Sequence, residues 1–164
     1  LWHARLGATP TAAPTAAPIV APAALDSATV LSERGVAFVR DGSAITFGLT
    51  AAPLDSIPAD SLADKAVLDL WHWNDARLQP QQRLEAARDR GRAWTAVYTL
   101  ADRRWVRLGN DSLSRVVVSD DGRTALALRD LPYAVSQMWG EGGADVLVLD
   151  ARTGRRTVVA TRVP

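Results

Sequence analysis

Cysteine is absent from the 164 residues, so no disulfide and no thiolate metal site can form, and the redox compartment is left open. Long apolar runs are missing too. No stretch approaches the roughly 18 consecutive apolar residues that cross a bilayer, and no basic start followed by an apolar core reads as a secretory signal. Surplus charge is also lacking: 19 basic residues face 18 acidic ones with no block of either sign. That excludes a basic stripe for nucleic acid or anionic lipid, so neither nucleic acid nor membrane is expected as a partner.

The chemistry-bearing residues are equally sparse. None of the 11 glycines stands four residues after another, which excludes the G-x-S-x-G elbow that presents a nucleophilic serine. The two histidines, His3 and His72, therefore have no nucleophile to serve, and no catalytic triad is expected within this stretch. They are far apart, neither begins an H-E-x-x-H, and no cysteine completes a zinc set, so the expectation is no metal and no cofactor. "SDDG" is not a calcium loop, because Val117 stands where the first ligand would be if Gly122 were the loop glycine. "GEGG", Gly140 to Gly143, lacks the lysine and following helix of a phosphate cradle.

What is present suits one domain with a core: 48% of the residues are hydrophobic and the mean hydropathy is −0.03. The chain opens on Leu1 and is expected to be a piece of a longer protein. Thr9 to Ala24 is an Ala, Pro and Thr tract that prolines keep from regular structure, although "PIVAP" can pair briefly with "LWHARL".

From Gly35 onward the pattern is hairpins. "GVAFVRDGSAITFGL" turns at Asp41-Gly42 and "SRVVVSDDGRTALALRD" at Asp121-Gly122; "ADVLVLDARTGRRTVVATR" turns through Gly154 and "AWTAVYTLADRRWVRLG" through Ala101 to Arg104. Gly42, Gly122 and Gly154 are expected to take a positive φ that other residues adopt only at a cost of about 1–2 kcal/mol. Between the hairpins, Pro80 suits a first helical turn, Gln81 to Arg90 continue it, and Gly91 ends it. With only Leu84, Ala86 and Ala87 apolar, this helix belongs at the rim. "VLDLWHW" reads as a strand covered on both faces, with Leu68, Leu70 and His72 on one side and Asp69, Trp71 and Trp73 on the other. His72 is then a buried side chain with paired ring nitrogens; the competing reading makes His72 and Trp73 substrate contacts. Trp94, Trp105 and Trp139 sit in or beside hairpins, where packing is the expected use.

The hairpins repeat in the same order, with eighty residues from Gly42 to Gly122. A sandwich also supplies short strands with frequent turns, but four antiparallel strands per repeated unit is the arrangement of a propeller. The expected fold is all-β: a partial β-propeller of antiparallel four-stranded blades with one short inserted helix near 80–90. Residues 1–31 would end a preceding blade and carry the Ala/Pro/Thr-rich loop, and residues 32–164 would form about two blades.

"VVVSDDGRTALAL" followed by "DVLVLDARTGRRTVV" resembles the blade repeat of TolB-like propellers, in which an S-x-D-G-R hairpin precedes one turning at T-G. "LDLWHWNDARLQPQQ", then "AVYTL", "SDDGR" and "LPYAVSQMWGEGGADVLVLD", is similar to the propeller portion of bacterial prolyl oligopeptidase family serine peptidases, from about Ser32 to the end. The resemblance implies a propeller that restricts peptide access to an α/β-hydrolase domain, and so names that domain and peptide substrates as partners. It also favours a periplasmic or secreted setting. The chain departs from the family in having no hydrolase domain and no Glu-Glu pair for a substrate amino terminus, the helix after Pro80 offering only Glu85. A non-catalytic TolB-like propeller that only binds other proteins is the alternative.

Overall fold

The computed structural model describes residues 2–4, 16–20, 25–33, 35–53, 70–73 and 75–164. The chain is mostly β, and its antiparallel sheets curl like half of a barrel. A small ribbon pairs β1 (Trp2–Ala4) with β2 (Ala16–Pro18). The expected pairing near the start is therefore present, with Ala16–Pro18 rather than "PIVAP" as the second strand.

Sheet 1 contains β3 (Thr29–Leu31), β4 (Ala37–Phe38), β5 (Ala44–Ala51), β6 (Ala93–Thr99) and β7 (Arg104–Arg107). β3 and β4 lie end to end along one edge of β5, pairing Leu31 with Leu49 and Ala37 with Thr46. Five residues of sequence separate Leu31 from Ala37 where only two separate their partners on β5, so the two strands pair with β5 in different registers. Counted across its width, sheet 1 is four strands deep. Sheet 2 is a plain meander of β8 (Arg115–Val118), β9 (Thr124–Arg129), β10 (Ala144–Asp150) and β11 (Arg156–Val163).

The two Asp-Gly turns are built alike. In the first, Gly42 N–H donates to Val39 C=O at 2.9 Å and Ser43 N–H to the Asp41 carboxylate at 2.9 Å; in the second, Gly122 N–H donates to Ser119 C=O at 3.0 Å and Arg123 N–H to Asp121 at 3.0 Å. Gly42, Gly122 and Gly154 take φ of +71°, +64° and +75°, as their turns require. Arg103 occupies the position in the β6–β7 turn that Gly154 holds in the β10–β11 turn, at φ +50°.

Alternation along the strands sorts the side chains into two layers. Val97, Leu108, Ala125, Ala127, Leu147 and Leu149 form a cluster drawn from both sheets, so sheet 2 packs on one face of sheet 1. Ile45, Phe47, Leu49, Ala96 and Tyr98 point to the other face, which Ile19 and Val20 help to cover. Full burial of a Leu or Phe side chain contributes about 1.5–3 kcal/mol, so Leu108 and Leu149 anchor the first layer as Phe47 and Leu49 do the second.

Between β5 and β6 lies α1 (Gln79–Arg90), with Pro80 in its first turn, Gly91 after its last and no buried residue, as a rim helix requires. Arg77 holds it down through Glu85 and, at 2.8 Å, Asp89. Between β9 and β10, a 3-10 turn (Leu131–Tyr133) leads into α2 (Ala134–Gln137). The expected strand over "VLDLWHW" does not form at residues 70–73, and residues 67–69 lie outside the described set. Asp75 accepts the His72 N–H at 2.9 Å and returns its own N–H to His72 C=O at 3.0 Å, a local turn that takes up groups a ladder would need. β5 consequently pairs with β6 directly.

Candidate functional site

Stacking the sheets leaves a cleft of about 580 Å³ between them, on the side where β4 and β8, the first strands of their meanders, form the edges. Phe38 on β4 and Val116 and Val118 on β8 supply apolar walls, while Thr46, Gly48 and Thr95 line it from sheet 1 with small side chains or none. The cleft exists because sheet 1 presents small residues at alternate positions of β5 and β6.

Two of its hydroxyl groups are already engaged. Thr46 Oγ1 donates to Ala37 C=O at 3.2 Å, and Ser119 Oγ donates to Thr124 C=O at 2.8 Å. Ser119 Oγ also lies 2.6 Å from the Asp121 carboxylate, which together with the Arg123 N–H holds that carboxyl below its ordinary range. At the turn end, Arg40 meets Asp120 at 3.4 Å, an exposed pair that adds little stability but sets a charge beside the opening. Nearby, Trp94 donates its indole N–H to Asp111 at 2.9 Å and stacks under Arg107, whose guanidinium carbon is 4.3 Å from the ring centre. These walls suit holding an extended, partly apolar segment. Among the described residues that line them there is no histidine.

No family model matches the sequence, and no curated protein matches it.

The residues singled out from the sequence fall in separate places. Gly42 and Gly122 come together: a Cβ on Gly122 would stand 2.9 Å from Ala44 Cβ and 3.3 Å from both Val39 methyls, so the second turn abuts the first hairpin. Gly154 faces Val106 of sheet 1, at 3.1 Å from where its Cβ would be. His72 and Trp73 are exposed on the segment before α1 and line no part of the cleft, their rings 5.4 Å apart. The expectation of a buried His72 is therefore corrected: without a strand at 70–73, nothing carries the imidazole into a core. Trp94 and Trp105 pack, Trp105 edge-on to Phe47 at 6.1 Å, whereas Trp139 is 82% exposed, against the expectation. Its place on the β9–β10 connection, outside either layer, explains the difference.

Sequence reasoning passed over Phe38, Val116 and Val118, because only the stacking of two sheets makes them neighbours. It also passed over Asp145. That buried carboxylate receives Arg129 at 2.6 and 3.1 Å, the Tyr133 hydroxyl at 2.5 Å and the Arg162 N–H at 3.2 Å. The Tyr133 hydroxyl first, and Arg129 next, hold its carboxyl below the usual range, while the same bond raises Tyr133. With every lone pair answered, Asp145 ties β9, β10 and β11 together and is a structural group. Among the described residues, no cluster of three His, Asp or Glu is arranged to hold a metal, and no helix is long and apolar enough to cross a membrane.

Proposed function

We propose that this chain is part of a β-propeller in a serine peptidase of the prolyl oligopeptidase type, where it bounds the path by which peptides reach a separate α/β-hydrolase domain. The observation that carries the reading is the repeat in space: two four-stranded antiparallel meanders follow one another in sequence, stack face on face, and hold their Asp-Gly turns side by side. The likeness of "VVVSDDGRTALAL" and "DVLVLDARTGRRTVV" to the blade repeat of TolB-like propellers supports the assignment of the repeat unit, and that of "SDDGR" and "LPYAVSQMWGEGGADVLVLD" to the propeller portion of prolyl oligopeptidase family peptidases supports the family. The cleft beside β4 and β8 supports a role in bounding a peptide's path, since its walls are partly apolar and the Ser119 hydroxyl on them is spent on Thr124 C=O and Asp121.

The test is a comparison between the 164-residue chain and the full polypeptide that contains it. The full polypeptide takes a fluorophosphonate label and cleaves short peptides faster than long ones, while the isolated chain does neither. A full polypeptide that takes no label and cleaves no peptide overturns the peptidase reading. The second reading, a TolB-like propeller that only binds other proteins, draws support from exposed Trp71, Trp73 and Trp139 on the connections at one end of the sheets. It predicts that the unlabelled full polypeptide retains a partner through that end.

A further inference from the structure

One wall of the cleft differs from the others, because β8 is an edge strand. Among the described residues it pairs with β9 alone. Ser119 N–H donates to Thr124 C=O at 2.9 Å, continuing the β8–β9 register as a hydrogen-bonded pair. Antiparallel pairing alternates, so Val117 also turns its N–H and C=O toward β9, while Val116 and Val118 turn theirs to the open edge. The side chains of the same two valines pack toward sheet 1 and line the cleft. Backbone donors, backbone acceptors and an apolar wall therefore come from the same two residues.

The rest of the cleft fits a strand laid beside them. From Val116 to Asp120 is about 13 Å of extended chain. The floor is Thr46 and Gly48 on β5 and Thr95 on β6, small residues that leave height for side chains entering from above. Only Arg40 and Asp120 carry charge among the lining residues, and they meet each other at the turn end. The middle thus presents apolar and hydroxyl groups, with no charge for a ligand to answer. On sheet 1, by contrast, β3 and β4 pair with β5 in different registers, so that edge offers no single ladder. Stacking sheets face on face does not use the β8 edge.

We infer that the cleft binds an extended, uncharged peptide segment by strand addition: the segment runs antiparallel to β8, exchanges hydrogen bonds with Val116 and Val118, and sends alternate small apolar side chains over Thr46 and Gly48. In that pairing the peptide residues opposite Val116 and Val118 turn both their N–H groups toward β8 and their side chains into the cleft, so one alternate set carries the bonds and the apolar contact. The inference rests on the peptide-path reading above and names the contact by which this chain holds the peptide.

The probe is acetyl-Ser-Val-Ser-Val-Ser-amide, added to the 164-residue chain while amide exchange is followed residue by residue. Saturating peptide is expected to slow exchange at Val116 and Val118 by about tenfold or more and to leave β11, the opposite edge of sheet 2, unchanged. Methylating the two valine nitrogens of the peptide removes the donors that face β8, and binding is expected to weaken by about tenfold or more. Methylating the serine nitrogens, which face away, is expected to leave it nearly unchanged. Unaltered exchange at Val116 and Val118, equal weakening by the two methylations, or equal slowing on β11 overturns the inference. The fluorophosphonate test separates this site from the peptidase reading. Strand addition with no label in the full polypeptide upholds the site and removes the peptidase, and label without strand addition upholds the peptidase and removes the site.

Discussion

Replacing Gly122 by alanine separates backbone strain from sheet stacking, because Gly42 offers the same turn without the neighbour. Both glycines are left-handed, at φ +64° and +71°. An alanine there costs about 1–2 kcal/mol in the native state, partly offset by about 0.4–1 kcal/mol from a less flexible unfolded chain. At Gly42 that is the whole effect, because nothing lies within 4 Å of the added methyl. The expected loss is about 1 kcal/mol. At Gly122 the methyl also stands 2.9 Å from Ala44 Cβ and 3.3 Å from Val39, and overpacking of this kind adds about 1–3 kcal/mol. The expected total is about 2–4 kcal/mol. With an m-value of about 2 kcal/mol/M in urea, the midpoint falls by about 0.5 M for Gly42→Ala and about 1–2 M for Gly122→Ala, at unchanged m. Gly154→Ala, with Val106 at 3.1 Å, belongs between them. Equal midpoints for Gly42→Ala and Gly122→Ala would refute the claim that the second turn is wedged against the first hairpin.

Arg103 takes φ +50° where the matching turn has glycine, so Arg103→Gly should raise the urea midpoint by the equivalent of about 0.5–1 kcal/mol. Asp145 has a native pKa below its unfolded one, so its contribution is complete above the ordinary carboxylate range near pH 4 and is lost as the pH falls through the lowered native value. Acid titration of the melting temperature should therefore be shallower for Asp145→Asn than for the unaltered chain, and an identical slope would remove Asp145 from the account. His72→Ala and Trp73→Ala, both on the exposed segment before α1, should shift stability by no more than about 0.5 kcal/mol, and a large drop in the thermal midpoint of either would restore the buried reading.

The hairpins were legible because their information is local. In "RDGS" and "DDGR" an aspartate accepts the N–H two residues on and the next glycine turns left-handed, so four residues specify the reversal. The rim helix was legible for a similar reason, from Pro80, a polar face all round and Gly91. "LWHW" misled because apolar aromatic content says that a segment has a strand-like composition, and says nothing of whether a sheet has room for it. The choice between pairing with β5 and turning on Asp75 was settled by partners elsewhere in the chain. The cleft was out of reach altogether, since Phe38 and Val116 become neighbours only once two sheets stack, and no spacing within either strand encodes that. Asp145 read as an ordinary strand start, because Arg129, Tyr133 and Arg162 arrive from three separate elements.

The broken edge of sheet 1 bears on how easily a foreign strand could add to it. An unbroken outer strand along β5 would offer a passing chain a flat row of N–H and C=O groups in a single register. With β3 and β4 offset by their unequal count against β5, a foreign strand that matches the spacing of one falls out of step with the other. It can make only a few bonds before the ladder fails. The slip therefore acts as a guard against templated growth, made from the backbone without charged residues on the strand, on the side where the sheets leave their cleft open.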